Sequence, residues 1–331
     1  MTRPIVANVL GMLLTLCGCA SPQPGRDVAP VVEETSFEAQ VQRTATCVLQ
    51  PKMFLRGYFE NPPRTDEGLV PSDALRTQYN VHVDVTDAGD HMLTVAPMGI
   101  PPTQHIFYWH GGAYVLGKMG LTDEDESIVR RLVDETQARV SYIDYPVAPE
   151  HNAATAFARL TDAYALALSN DDLPVAFVGE SAGGGLALAF GQQLRDDGHP
   201  SAPTRMVLFS PWLDVSLANP DIDDMEAFDC LLDRETLQWT GAMWADDVDI
   251  DHPMVSPLLG DVDGLGRILV FVSLHELMLP DVLALAAKAE SSDDVSVQVD
   301  AYPDLPHVWF KTDLPETEMA WATLRRFLRD P

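Results

Sequence analysis

Basic side chains are scarce in this chain: 21 Lys and Arg stand against 50 Asp and Glu in 331 residues, a formal charge of −29. Phosphates would be repelled, so nucleic acid is not an expected partner. The acidic surface favours solubility and carries no information about chemistry. Cysteine is scarce too, at four, and two of these (Cys17 and Cys19) fall within the first twenty residues. The apolar run at residues 5–16 is too short to cross a bilayer as a permanent helix. No internal repeat is visible. What remains is 46% apolar, enough for an ordinary globular core in one large domain or two modest ones.

Residues 1–19 read as a targeting leader: Arg3, then the apolar run, then Leu16-Cys17-Gly18-Cys19. That ending resembles a bacterial lipobox, which implies cleavage before Cys19 and lipid attachment to its sulfur. Ala20, with no Asp in its place, would by the same resemblance direct the product to the outer membrane, facing periplasm or exterior. A plain secretory signal giving a secreted or periplasmic protein is the alternative. Residues 20–35 read as a linker, rich in Pro and Gly up to residue 30. Of the cysteines beyond the leader, Cys47 and Cys230 would be free to pair in an oxidising envelope. Two separately buried thiols is the favoured reading.

From residue 81 onward, period-two alternation marks a hairpin (VHVDV and HMLTV), and short apolar runs mark six more strands: HIFYW, VSYIDY, VAFVG, RMVLFS, RILVFVS and VSVQVDAY. Helical segments lie between most of them; residues 122–137 open on a threonine cap with an acidic first turn. Alternating strands and helices predict an α/β fold with an eight-stranded, mostly parallel sheet covered on both faces. Residues 33–75 read as one or two helices ahead of it. Residues 214–256 interrupt the alternation with an acidic loop and an amphipathic segment, Arg234–Ala245. The expected division is an N-terminal cap piece (36–78), a catalytic domain (79–213 and 257–331) and an inserted helical cap (214–256).

The stretch at residues 173–194 organises the rest. A β-favouring run passes through Gly179-Glu180-Ser181-Ala182-Gly183 into an alanine- and leucine-rich helix. A strand that turns straight into a helix strains the corner residue and lifts its side chain above the sheet. Glycines flank the corner because a Cβ there would collide with the neighbouring strand and helix. A serine hydroxyl at that corner needs a base, and the base needs an orienting acid. Glu276, 95 residues beyond the serine and just after a strand, and His307, a further 31 residues on and after the last strand, stand in the required order. Asp281, at a helix start, and Asp304, on the histidine's own loop, are the rival acids. His199, His252 and His275 are poorer bases by position. Gly111, Gly112 and Ala182 are the expected backbone donors to a tetrahedral oxyanion, with His110 holding their loop.

HGGAY, DYPVAPEH, GESAGG, SPWLD and the HELMLPD…PH pairing resemble the hormone-sensitive-lipase-like family of α/β-hydrolases, from residue 81 to the end. The resemblance implies the α/β-hydrolase fold, a carboxylesterase acting on short and medium acyl esters, no metal or cofactor, and a cap built from an N-terminal piece plus an insertion. It also implies that Tyr114, Trp212, Trp239 and Met243 line the substrate pocket. The i, i+4 spacing of Trp239 and Met243 describes packing of the cap on the sheet equally well. Ala113 departs from the family's usual glycine, and Glu180 and Glu276 from its usual aspartates. Asp247, Asp249 and Asp251 read as a solvated acidic loop in preference to a calcium site. Two further functions stay open: a catalytically silent binding homologue, and a different acyl transfer such as amide hydrolysis, deacetylation or lactone opening.

Overall fold

A computed structural model describes residues 29–49, 52–64, 68–117, 120–169 and 172–329. The expected leader, the expected lipidation site Cys19 and residues 20–28 of the expected linker lie outside the described residues. Eight strands form one sheet: β1 (Tyr79–Val85), β2 (His91–Pro97), β3 (His105–Trp109), β4 (Arg139–Ile143), β5 (Val175–Glu180), β6 (Arg205–Phe209), β7 (Gly266–Ser273) and β8 (Val295–Tyr302). Their spatial order is β1-β2-β4-β3-β5-β6-β7-β8. The pairs β1–β2 and β2–β4 are antiparallel and the remaining five are parallel. Each strand read from the sequence is present, with ends displaced by no more than two residues.

The helices are α1 (Phe37–Leu49), α2 (Met53–Glu60), α3 (Asp73–Gln78), α4 (Asp123–Thr136), α5 (Ala153–Leu168), α6 (Ala182–Asp196), α7 (Ile222–Met225), α8 (Arg234–Ala245), α9 (Leu279–Ala289) and α10 (Pro315–Arg329). Local chemistry sets their ends. Thr122 caps α4 by accepting from Asp125 N, Asn152 caps α5, and Asp233 caps α8. Strands β3 and β5 are buried along their whole length because helices cover both faces. One core holds Phe157, Leu186 and Val282 from α5, α6 and α9; the other holds Ile128 and Leu324 from α4 and α10. Among the described residues, no helix is long and apolar enough to cross a membrane.

The segments read as a two-part cap meet. Arg43 of α1 donates to the Phe228 carbonyl at 3.2 Å, and the Arg56 guanidinium lies 3.9 Å over the Trp239 ring of α8. A disulfide joins Cys47 to Cys230, with Cα atoms 4.7 Å apart. The expectation of two separate thiols is therefore wrong: α1 and the inserted segment lie side by side, and a sequence separation of 183 residues hides that from the sequence. Near the end of the expected linker Val31 N donates to the Ala301 carbonyl of β8, and just beyond it Ser36 donates to Glu316.

Register places the site. Trp109 of β3 lies opposite Gly179 of β5, Glu180 opposite Phe209 of β6, and Phe209 opposite Phe271 of β7. The chain therefore leaves four neighbouring parallel strands at one edge, at His110, Ser181, Ser210 and the loop bearing Glu276. That edge is where an open α/β sheet presents its functional loops.

Candidate active site

Ser181 occupies the corner between β5 and α6 at φ 50° and ψ −121°. A non-glycine residue holds such angles only where its surroundings impose them. Its N–H donates to Phe209 O and its carbonyl accepts from Trp212 N, each at 2.9 Å, so the end of β6 and the turn after it clamp it from one side. The flanking glycines are required sterically: a Cβ on Gly179 would stand 2.3 Å from Gly183 O, and one on Gly183 would stand 2.3 Å from the carbonyls of Trp109 and His110. Positive φ recurs around the same point at Ala113, Tyr114, Ser210, Asp304 and Val308.

The three residues selected by their order along the chain converge. His307 Nε2 lies 2.9 Å from Ser181 Oγ, and His307 Nδ1 lies 2.6 Å from Glu276 Oε2. Glu276 is fully buried. Its other oxygen accepts from Ser210 Oγ at 2.9 Å and from Ser273 N at 2.7 Å, which fixes the carboxylate plane toward the imidazole. The rivals are engaged elsewhere. Asp281 accepts from Asn219 Nδ2 at 3.0 Å, and Asp304 lies 3.3 Å from His275 Nδ1 and 3.9 Å from Arg43.

The turn expected to supply oxyanion donors follows β3. His110 stacks on Tyr145 at 4.5 Å, its Nδ1 lies 2.7 Å from Gly111 O, and Tyr145 Oη donates to its carbonyl at 2.9 Å. Gly111 does not fit the expected role, because its N–H donates to Glu180 Oε1 at 3.0 Å. A carboxylate accepts this donor strongly, so it is not free to meet a substrate oxygen. Gly112 follows at φ 113°, where a Cβ would stand 2.5 Å from the Leu116 Cβ. Ala113, not among the expected donors, continues the same turn at φ 53°. Among the described residues, no hydrogen bond engages the N–H of Gly112 or Ala113. Ala182 opens α6, where a first-turn N–H has no partner within the helix.

The expected pocket residues divide. Tyr114 stacks on Trp244 of α8 at 4.3 Å and lies 5.6 Å from Trp212. Both Tyr114 and Trp212 are buried core residues, and Trp212 Nε1 is bonded to the Asp214 carbonyl, so neither rings an open pocket. Large apolar rings join whichever surface excludes water best, and here that is the seam between cap and sheet. Trp239 is half-buried beneath Arg56. Met243 borders a polar cleft of about 230 Å³ with His151, Asn152 and Asp246, none of them part of the serine–histidine–carboxylate relay.

Sequence reading also missed Ser210 and Asp229. Ser210 stood at a strand end in SPWLD, which was a usable signal; Asp229 gave none. Asp229 is buried in the inserted segment and accepts from Leu231 N, Leu232 N and Leu277 N. Burial raises its carboxyl above the usual range, partly offset by those N–H donors and by the nearby His307.

A strained serine elbow, a histidine within bonding reach and a buried carboxylate behind it, all at one edge of this sheet, define an α/β-hydrolase. The chain belongs to that family: a family model described as alpha/beta hydrolase fold matches residues 106–311. It is 34% identical to an esterase of Acinetobacter venetianus over 68% of this chain and 74% of that one. It is 32% identical to an acetyl-hydrolase of Streptomyces hygroscopicus over 68% and 75%, respectively. A solved esterase of the bacterial hormone-sensitive lipase family superposes with TM-score 0.71 at 25% identity, covering 89% of this chain and 99% of the other.

Proposed function

We propose that the chain is a serine carboxylesterase that cleaves esters of short to medium acyl chains through an acyl-enzyme. The observation that carries this reading is the unbroken relay from Ser181 Oγ to His307 (2.9 Å) and from His307 to Glu276 (2.6 Å). Ser181 Oγ attacks the ester carbonyl as His307 Nε2 takes its proton, while Glu276 holds the ring and balances the imidazolium charge. The oxyanion is met by the N–H groups of Ala182, Gly112 and Ala113. His307 then protonates the departing alkoxide, and water repeats the sequence on the acyl-enzyme to release the acid. The esterase and acetyl-hydrolase relatives support an acyl ester substrate at the small end of the range.

The cap of this enzyme comprises α1, α2 and the inserted segment 214–256, locked by Cys47–Cys230. It is an envelope protein, held by lipid at Cys19. A disulfide of this kind suits an oxidising compartment. Globomycin-sensitive processing and labelling by a fatty-acid probe lost in Cys19→Ser test the anchor.

The reaction is tested with Ser181→Ala on p-nitrophenyl butyrate. Loss of about 10⁴-fold or more in kcat, together with loss of fluorophosphonate labelling, is expected. Retained turnover sinks the proposal. A series of esters of increasing acyl length beside matched amides and lactones fixes the substrate class, with acetate to hexanoate esters expected to lead.

A further inference from the structure

The carboxylate of Glu180 lies directly beneath the turn that supplies the oxyanion donors. Besides accepting from Gly111 N, its Oε1 meets Lys311 Nζ at 2.5 Å. The position that a Gly111 Cβ would take is 3.4 Å from this oxygen and 3.1 Å from Ser181 Cβ. A buried negative charge therefore lies within about 6.5 Å of the Ser181 Cβ. Lys311 closes the short 3₁₀ turn Trp309–Lys311, four residues after His307 on the same loop. Its ammonium also faces Asp125 of α4 at 3.7 Å. Burial draws the Lys311 pKa down, but the Glu180 and Asp125 carboxylates outweigh this and raise it, so the cation persists.

Glu180 has two opposite effects on ester hydrolysis. As an acceptor it fixes Gly111, and with it the donors that follow at residues 112 and 113. As a charge it opposes the oxyanion that forms when Ser181 attacks. Lys311 cancels the second effect and leaves the first. We infer that Lys311 is a positioning residue for ester hydrolysis, acting through Glu180 and Gly111 without touching substrate, and that its task is to silence a carboxylate kept for its geometry. The inference rests on the serine-esterase reading above and adds a residue to it.

The test compares Lys311→Met, Glu180→Gln/Lys311→Met and Ser181→Ala with the wild type on p-nitrophenyl butyrate, with the fluorophosphonate inactivation rate measured in parallel. Lys311→Met is expected to lower kcat and the inactivation rate about 10- to 100-fold, with KM changed less than about threefold. The double variant, whose side-chain amide at position 180 keeps the acceptor and loses the charge, is expected to return to within about tenfold of wild type. Rescue separates charge from simple loss of packing: Lys311→Arg, which restores a cation beside Glu180, is expected to return kcat to within about tenfold of wild type, and a Lys311→Arg kcat no better than that of Lys311→Met overturns the inference. A Lys311→Met kcat within threefold of wild type, or a double variant no better than the single, overturns the inference. Should Lys311→Met not fold, the neutral double variant carries the test, and a hundredfold loss in it overturns the inference. Ser181→Ala keeps the two claims apart. If it stays active, the esterase reading fails; if it is inactive while Lys311→Met matches wild type, only this inference fails.

Discussion

Glu276 illustrates what one side chain's length does. Its Oε2 is 2.6 Å from His307 Nδ1 while Oε1 is held by Ser210 and Ser273, so both ends of the carboxylate are in use. Shortening it by one methylene leaves one set of partners out of reach. Glu276→Asp is therefore expected to lower kcat about 10- to 100-fold with a smaller change in KM. Glu276→Gln, which can offer its amide N–H and so invert the ring tautomer, is expected to cost about 10²- to 10⁴-fold. Steady-state kinetics on one ester distinguishes them, and an Asp variant as fast as wild type would show that the extra length is immaterial. At this scale the sequence disclosed residue types and their order: Ser181, Glu276 and His307 were legible because each follows a strand. The destination of the Gly111 N–H was not, because its acceptor lies 69 residues away on another strand. Nor did residue type separate Tyr114 and Trp212, which are core, from pocket walls, since both environments select large apolar rings.

The elements themselves were legible where periodicity is strong. Strands β3, β5, β6 and β7 are short apolar runs bounded by polar or glycine residues, and the cap at Thr122 is written in the sequence. The meeting of α1 with the inserted segment was not, since contact between segments 183 residues apart leaves no local pattern. Closing so long a loop should stabilise the fold. Cys47→Ser/Cys230→Ser is expected to lose about 2–5 kcal/mol in denaturant unfolding. The earliest proteolytic cuts should then move into the cap segments. In the wild type, alkylation of denatured, unreduced protein should label neither cysteine. A second tie joins the insertion to α9, where Asn219 donates to Asp281. Burial pushes the Asp281 pKa up to about 7, with Asn219 lowering it and Asp214 raising it. The folded state then holds a proton that the unfolded chain releases near pH 4. Stability contributed here is full at low pH and is lost as pH rises from about 4 to 7, after which it is constant. Asp281→Asn keeps an acceptor for Asn219 without the charge. Its melting temperature should match wild type near pH 4 and exceed it at pH 8; equal curves at both pH values would contradict the assignment.

Across the whole molecule the dominant fact is the imbalance of 21 basic against 50 acidic residues. This bears on encounter more than on fold, because summed surface charge shapes the potential that a substrate meets on approach. The serine edge of the sheet shares in it: the buried carboxyl groups of Glu276, Asp229, Glu180 and Asp125 lie at or just beneath that edge, with the half-buried ammonium of Lys311 set against the last two. A cationic ester should therefore be drawn in relative to a neutral one of the same shape. The matched pair of choline butyrate and 3,3-dimethylbutyl butyrate isolates the effect, since the two differ by one charge at nearly constant volume. The ratio of their kcat/KM values should exceed one at low salt. It should fall several-fold between ~0.02 M and ~0.5 M NaCl, as the screening length shrinks from roughly 20 Å to about 4 Å. The change should sit in kcat/KM, with kcat nearly level, because steering acts before the acyl transfer. A ratio that does not move with salt would mean that the cap shields the site from the field of the surface, and that the acidic composition serves solubility alone.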